Sequence, residues 1–268
     1  MVGAYSKEDL IQINNFSHLH NGTTIIFCKT DFILQEFSNI EALEHDVIFI
    51  TGNSDYCITD DLVQKAPKNI KSWFCQNKLS EHPLLTALPL GVENTVPCFR
   101  EGHGYVWPHA LEKPECLTHP ASIPIKEVYA NFRIETNPPH RSAVKSIIDD
   151  PSCNYISWKD STLSYKEFVH DILNHKAVVC AQGNGLGDNH RIYETLYLGR
   201  VPLTFNKFQY EMLHHKYPVV LINDLEELKN KEEIMRRVME CKTNTKYLKF
   251  KYWEEMILDE AKKYNITR

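Results

Sequence analysis

Several familiar signatures are missing from this chain of 268 residues. No apolar run approaches the roughly 20 residues that a membrane-spanning helix needs. Met1–Asn15 carries Lys7, Glu8 and Asp9 where a secretory leader would have a basic stretch followed by an apolar one, so no leader is expected. There is no C-x-x-C pair and no close Cys/His spacing of the zinc-site kind. The cysteines at 28, 57, 75, 98, 116, 153, 180 and 241 therefore read as free thiols in a reducing, cytoplasmic setting, with Cys28 and Cys180 as core residues on strands. The absence of G-x-x-x-x-G-K-S/T excludes a P-loop, and the absence of G-x-G-x-x-G after the first strand argues against a dinucleotide cofactor. Positive charge is not in excess either. Thirty Lys and Arg stand against thirty-five Asp and Glu, a formal charge of −5, which disfavours nucleic acid and anionic membranes as partners.

What is present is ordinary globular composition, 43% apolar and 24% charged, enough to build real cores. The length suits two α/β units of roughly 100–150 residues. In the first half, the runs 24–28, 46–51 and 72–75 have the continuous apolar character of strands buried on both faces, and Ile33, Phe37, Ile40 and Leu43 recur at helical spacing between the first two. Five prolines with Gly102 and Gly104 make 97–124 an irregular connection, which puts a boundary near 100–125. Strand and helix then alternate: strands at 127–132, 154–158, 177–181, 201–205 and 218–222, helices at 138–149, 165–174, 189–198 and 225–239, and a last helix over 247–264. The expected organisation is a Rossmann-like unit over 1–120, a second over 121–245, and a C-terminal helix over 246–268 that packs back on the first unit.

The segment from Val178 to Pro202 is the most informative. A strand runs into Gly183, Gly185 and Gly187, where backbone can approach a ligand without Cβ interference. A helix follows, capped by Asp188 or Asn189, so its free N–H groups favour an anion; Gly199 ends it. Arg191 and Glu194 lie three apart and His190 and Glu194 four apart, so one face carries a cation and a carboxylate together. That pairing suits a nucleoside diphosphate, with the guanidinium on phosphate oxygens and the carboxylate accepting from ribose hydroxyls. An exposed helical ion pair is the plainer alternative.

This segment, with its glycine turn, Arg191, Glu194, Gly199 and Pro202, resembles the donor-site motif of exostosin-like and related GT-B glycosyltransferases. The stretch from Tyr129 to Arg141 is similar to the first strand and loop of the C-terminal domain in small bacterial and viral glycosyltransferases of this kind. The sequence from Leu88 to Asn94 resembles a loop near their cleft, although the likeness centres on 127–205, under a third of the chain. The resemblance implies an α/β fold of two Rossmann-like doubly wound domains facing each other across a cleft. It implies a hexosyl- or pentosyltransferase that moves a sugar from a nucleotide-diphosphate co-substrate to a glycan or glycoprotein acceptor, with no further cofactor. Arg191 would hold the diphosphate and Glu194 the ribose, and Gly183, Gly185, Gly187, Asn189, His190, Arg133, Asn137 and Arg141 would complete the donor site.

Independently of the resemblance, Asn137 can cap a helix that has Pro138 or Pro139 in its first turn, at the carboxyl end of a strand where open sheets bind ligands. A base to deprotonate the acceptor is sought in the first half, where Asp31 and Asp55 follow strands and Glu93 sits in the Pro-Gly loop. Asp55 is preferred because Gly52, Asn53 and Ser54 can lift it into a cleft. Asp31 comes next, and His18 and His20 are more distant choices. Asp60–Asp61 and Asp149–Asp150 read as helix starts and ends, so catalysis without a divalent cation is expected. Trp73, Phe74, Tyr105 and Trp107 offer sugar-stacking surfaces, though most are expected in the core. A non-catalytic nucleotide- or sugar-binding module and a nucleotide-sugar epimerase are the alternative functions.

Overall fold

The structure is a computed structural model and describes residues 5–118, 122–160, 162–184, 188–242 and 244–264. Two compact units divide the chain. One takes Asp9–Leu111 together with residues 249–264, and the other takes residues 5–8 together with Glu112–Leu248.

In the first unit the elements run α1 (Ile13–Ser17), β1 (Ile25–Lys29), α2 (Ile33–Glu41), β2 (Val47–Gly52), α3 (Asp60–Val63), β3 (Ile70–Cys75) and β4 (Leu85–Ala87). The four strands are parallel in the order β1-β2-β3-β4, with Phe27 opposite Ile50 and Ile50 opposite Phe74. Both faces are buried over Ile25–Cys28, Val47–Gly52 and Ser72–Cys75, where the strands are largely apolar. Ile33, Phe37 and Ile40 of α2 cover one face, against Ile26, Phe49 and Trp73. The segment after β4 is irregular yet firmly seated. Asn53 Nδ2 donates to Asn14 Oδ1 at 2.7 Å and to the His103 carbonyl at 2.9 Å, while Asn94 Nδ2 donates to Asn53 Oδ1 at 2.8 Å. Amide side chains at the carboxyl ends of the strands thus take the place of regular structure in satisfying the loop.

The second unit contains α4 (Lys113–Leu117), β5 (Lys126–Ala130), α5 (Pro138–Ile148), β6 (Ile156–Trp158), α6 (Tyr165–Asn174), β7 (His175–Cys180), α7 (His190–Tyr197), β8 (Val201–Thr204), α8 (Lys207–Met212), β9 (Val220–Leu221) and α9 (Lys231–Glu240). Its five strands are parallel in the order β6-β5-β7-β8-β9. Val144 and Ile148 of α5 pack with Ile234 and Val238 of α9 against Val128, Ala177, Val179 and Leu203. Toward α6 and α7, Tyr129 meets the Phe168 ring at 6.2 Å and Cys180 Sγ lies 3.8 Å from Thr195 Oγ1. A doubly wound order, with its reversal of direction, therefore describes this sheet; the four described strands of the first sheet run in sequence order without one.

The last helix, α10 (Phe250–Lys263), belongs to the first unit, where its ring of Phe250 meets Phe16 edge-on at 5.0 Å. Trp253 and Ile257 on it are fully buried. Residues 5–8 belong to the second unit, with Tyr5 edge-on to Tyr197 at 5.1 Å and Lys7 Nζ 2.5 Å from Glu115. The single helix expected over 225–239 is instead a 3-10 turn, Leu225–Lys229, followed by α9. Asp224 and Asn230 each cap their own N-terminus, and the second cap interrupts the first helix.

All eight cysteines are free, and Cys28 and Cys180 are buried on β1 and β7. Burial pushes both thiols up to about 12. No helix among the described residues is long and apolar enough to cross a membrane.

Candidate active site

At the carboxyl end of the second sheet, the chain leaves β5 toward β6 on one side and β7 toward β8 on the other. The loops after β5 and β7 therefore part, and the reversal point between them is where open α/β sheets form a binding crevice. Residues 131–137 and, among the described residues, 181–184 and 188–189 belong to those two loops, and most of the donor-site residues expected from sequence lie on them or on the helices that follow.

The two loops are laced together. Asn137 caps α5 by accepting from His140 N at 3.4 Å, and its Nδ2 donates to the Gly183 carbonyl at 2.8 Å. Arg141, one turn into α5, donates through Nε to the Gln182 carbonyl and through NH1 to the Arg133 carbonyl, each at 2.7 Å. The Arg133 side chain is exposed. A Cβ built on Gly183 would meet nothing within 4 Å, so there is open space above that peptide. Gly185 and Gly187 lie outside the described residues.

α7 starts at the far side of the second loop, capped by Asn189, whose side chain accepts from Ile192 N at 3.3 Å. Asp188, the other cap that the sequence offers, is used differently: it accepts from His214 Nε2 at 2.8 Å and from the Tyr193 hydroxyl. His190 is half-buried in the first turn of the helix.

Arg191 is held on three sides. Its Nε donates to Glu194 Oε2 at 3.2 Å, its NH1 donates to the Asn131 carbonyl at 2.5 Å, and its guanidinium carbon stands 4.0 Å from the Phe168 ring centre. About a quarter of the side chain is exposed, and these bonds engage Nε and NH1. Glu194 itself is 3% exposed. Its Oε1 accepts from Lys113 Nζ at 2.7 Å and from the Tyr165 hydroxyl at 3.2 Å. Burial opposes ionisation of this carboxyl, but Lys113 and then Arg191 outweigh it and hold it down at about 2. Three bonds fill three of about four acceptor positions on a carboxylate, so one on Oε2 remains.

The second guanidinium matters for the charge. Burial foremost and Arg191 next lower the Arg141 pKa to about 10, so Arg141 stays charged at neutral pH and feels its neighbour. Two cations thus converge at the reversal point, an arrangement suited to a diphosphate.

In the first unit, Asp55 and Asp31 are both exposed after the carboxyl ends of β2 and β1, and Asp31 pairs with Lys29 at 3.2 Å. His18 is exposed, whereas His20 is committed to accepting from Phe27 N at 3.1 Å. Glu93 lies 3.3 Å from His109 Nε2. Trp73 and Phe74 are core residues, while Tyr105 and Trp107 are exposed. Asp60 and Asp61 occupy the first turn of α3; Asp149 pairs with Lys145 at the end of α5, and Asp150 caps the next turn. No group of three or more His, Cys, Asp or Glu is placed to hold a metal among the described residues.

Lys113, Asn131, Tyr165 and Phe168 are the site residues that sequence reasoning did not single out. A lone Lys has no local pattern, and the other three act through a carbonyl, a hydroxyl and a ring face that any core residue of their type could offer.

No protein-family model and no curated protein matches the chain. Among solved structures, the wall teichoic acid polymerase TagF, in a variant soaked with CDPG, aligns at 11% identity over 94% of this chain and 93% of that one, with a TM-score of 0.28. A second TagF variant aligns at 12% identity over 94% of each chain with the same TM-score, and TagF itself at 11% over 92% and 91% with a TM-score of 0.27. At scores this low the likeness carries no argument about activity.

Proposed function

We propose that the chain is a glycosyltransferase that moves a sugar from a nucleotide-diphosphate donor to a hydroxyl of a glycan or glycoprotein acceptor. The observation that carries this reading is the pair of guanidinium groups, Arg191 and Arg141, at the reversal point of a doubly wound sheet. In such a transfer the acceptor oxygen bonds to the anomeric carbon as the bond from that carbon to the diphosphate breaks. The acceptor proton goes to a base, and the diphosphate leaves with the electron pair and its added negative charge. Cations fixed before the reaction stabilise that charge with little reorganisation.

In this reading the NH2 edge of Arg191 and the Arg141 guanidinium take the diphosphate, and the exposed Arg133 adds charge at the rim. The N-terminus of α7, with Asn189 and His190, lies beside the phosphates, and the glycine turn of Gly183, Gly185 and Gly187 lets backbone approach them. Asn137 holds the Gly183 carbonyl. Glu194 orients Arg191 and keeps one acceptor position for a ribose hydroxyl. Asp55 serves as acceptor base, ahead of the ion-paired Asp31. The guanidinium pair fills the role of a divalent cation, so transfer should persist in EDTA.

The test is a titration of UDP, GDP, CDP and their sugars against wild type and Arg191→Ala. Loss of binding in the variant supports the reading, and equal affinity in both removes it. Asp55→Asn should lower kcat and leave nucleotide affinity unchanged. Binding without transfer or hydrolysis of any donor would mark a non-catalytic nucleotide-binding module instead, and donor isomerisation without an acceptor would mark an epimerase.

A further inference from the structure

The first turn of α7 is tied down from outside the helix. Asp188, just ahead of it, has a side chain 4% exposed and lies against His214, which is fully buried in the 3-10 turn His214–Lys216 after α8. Asp188 Oδ1 accepts from His214 Nε2 at 2.8 Å and from the Asn189 N–H at 2.9 Å, and Oδ2 accepts from the Tyr193 hydroxyl. Asn189 and Tyr193 move with α7, since one caps the helix and the other lies on it. His214 comes from a different element, so its bond fixes the helix start relative to the rest of the unit.

Packing alone does not call for a histidine at this position. Its Nδ1 is buried and makes no hydrogen bond, so the ring carries a desolvation cost that an apolar side chain in the same space would avoid. The bond that the ring does make is to Asp188. Burial opposes ionisation of that carboxyl, but His214 and then Tyr193 outweigh it and hold Asp188 below the usual carboxylate range. Without His214 a buried carboxylate would be short of a donor, and the start of α7 would shift to recover one.

We propose that His214 is a positioning residue of the anion site: through Asp188 it fixes the first turn of α7, and with it the free N–H groups at the helix start and the Arg191 side chain that the turn carries. A misplacement of about 1 Å in a preorganised site can cost on the order of 100-fold, so a brace that never touches the ligand can govern how well the site works. The inference deepens the proposed function and rests on it, since it concerns the same phosphate site.

Gln and Asn at position 214 separate the bond from the packing. The amide nitrogen of Gln falls where Nε2 stands in His and can donate to Asp188; that of Asn falls where Nδ1 stands, which bonds nothing. Both side chains are polar and uncharged, so a role in packing or polarity alone expects similar behaviour from the two. Inorganic pyrophosphate is the probe, titrated by calorimetry well below the melting temperature of each protein. His214→Gln should bind within about threefold of wild type, and His214→Asn roughly tenfold or more weakly. Affinity in His214→Asn equal to wild type overturns the proposal, and so does a folded His214→Gln no better than His214→Asn.

If either variant does not fold, wild type decides through linkage, because a brace that strengthens anion binding must itself be strengthened by the anion. Exchange with water of the His214 Nε2 proton, followed by NMR on protein labelled with 15N-histidine, should slow roughly tenfold at saturating pyrophosphate. It should slow by more than the ring proton of His175, whose Nδ1 meets the Asp171 carbonyl at 2.6 Å elsewhere in the same unit. Equal slowing at both rings would reflect global stabilisation and overturns the proposal. If wild type binds neither pyrophosphate nor any nucleoside diphosphate, the proposed function falls and this inference with it; if wild type binds and the two variants do not differ, the inference alone falls.

Discussion

Glu194 and Lys113 stand 81 positions apart in the chain and meet at 2.7 Å, with side chains 4% and 8% exposed. A buried pair of this kind adds little net stability over an apolar pair, but breaking it strands a charge. Lys113→Ala should therefore cost about 3–5 kcal/mol in urea unfolding. Lys113→Ala with Glu194→Gln should cost clearly less than the sum of the single changes. Additive costs would show that the two side chains do not interact.

Acid should act first through a histidine. Burial foremost and Arg100 next push His20 down to about 4 from 6.5, with Glu36 opposing, while its Nδ1 must stay unprotonated to accept from Phe27 N. A depressed folded pKa means that the stability His20 confers is complete above 6.5 and is lost as pH falls toward about 4. Glu194 confers stability that is complete above 4.5 and is lost only as pH falls through about 2. Urea midpoints should decline over the His20 window, and His20→Gln should flatten that decline. An unchanged slope in the variant would refute the assignment.

Two glycines should respond in opposite ways to the same substitution. Gly91 has φ +71, and a Cβ there would lie 2.0 Å from the Ile11 carbonyl oxygen, so Gly91→Ala should cost upwards of about 1–2 kcal/mol. Gly183 has open space instead, and Gly183→Ala should change stability by no more than about 1 kcal/mol. Any loss of nucleotide affinity in Gly183→Ala then reports on the ligand's approach to that peptide. A melting temperature that falls equally in both variants would contradict this.

Trp253 anchors α10 within the first unit and is fully buried. Trp253→Ala should cost about 3–5 kcal/mol, the usual range for emptying an aromatic from a core. A cost below about 1 kcal/mol, read from denaturant unfolding, would mean that the helix contributes little.

The long buried strands and the capped helices were legible from sequence because their signals are local. The run from Ile25 to Cys28 could only be a strand buried on both faces, and Asn137 before Pro138 announces the start of α5. Four short elements were not legible: the residues of α1, β4, α4 and α8 complete no hydrophobic period, and tertiary contacts hold them in place. The site divides along the same line. Arg191, Glu194 and Arg141 share a recognisable stretch of pattern, whereas Lys113 reaches Glu194 only because the chain folds α4 beside α6 and α7. Strand order had no local signature: a doubly wound order was expected in both units, and it describes the second sheet but not the four described strands of the first.

Each end of the described chain is stitched into the unit built mainly by the opposite half: residues 5–8 with Glu112–Leu248, and residues 249–264 with Asp9–Leu111. The polypeptide consequently passes between units three times, after Glu8, Leu111 and Leu248. A protease cut after Leu111 would free neither unit whole, since each fragment keeps a strip that the other requires. Halves expressed separately should be poor folders, and halves produced together should reassemble as a complementing pair.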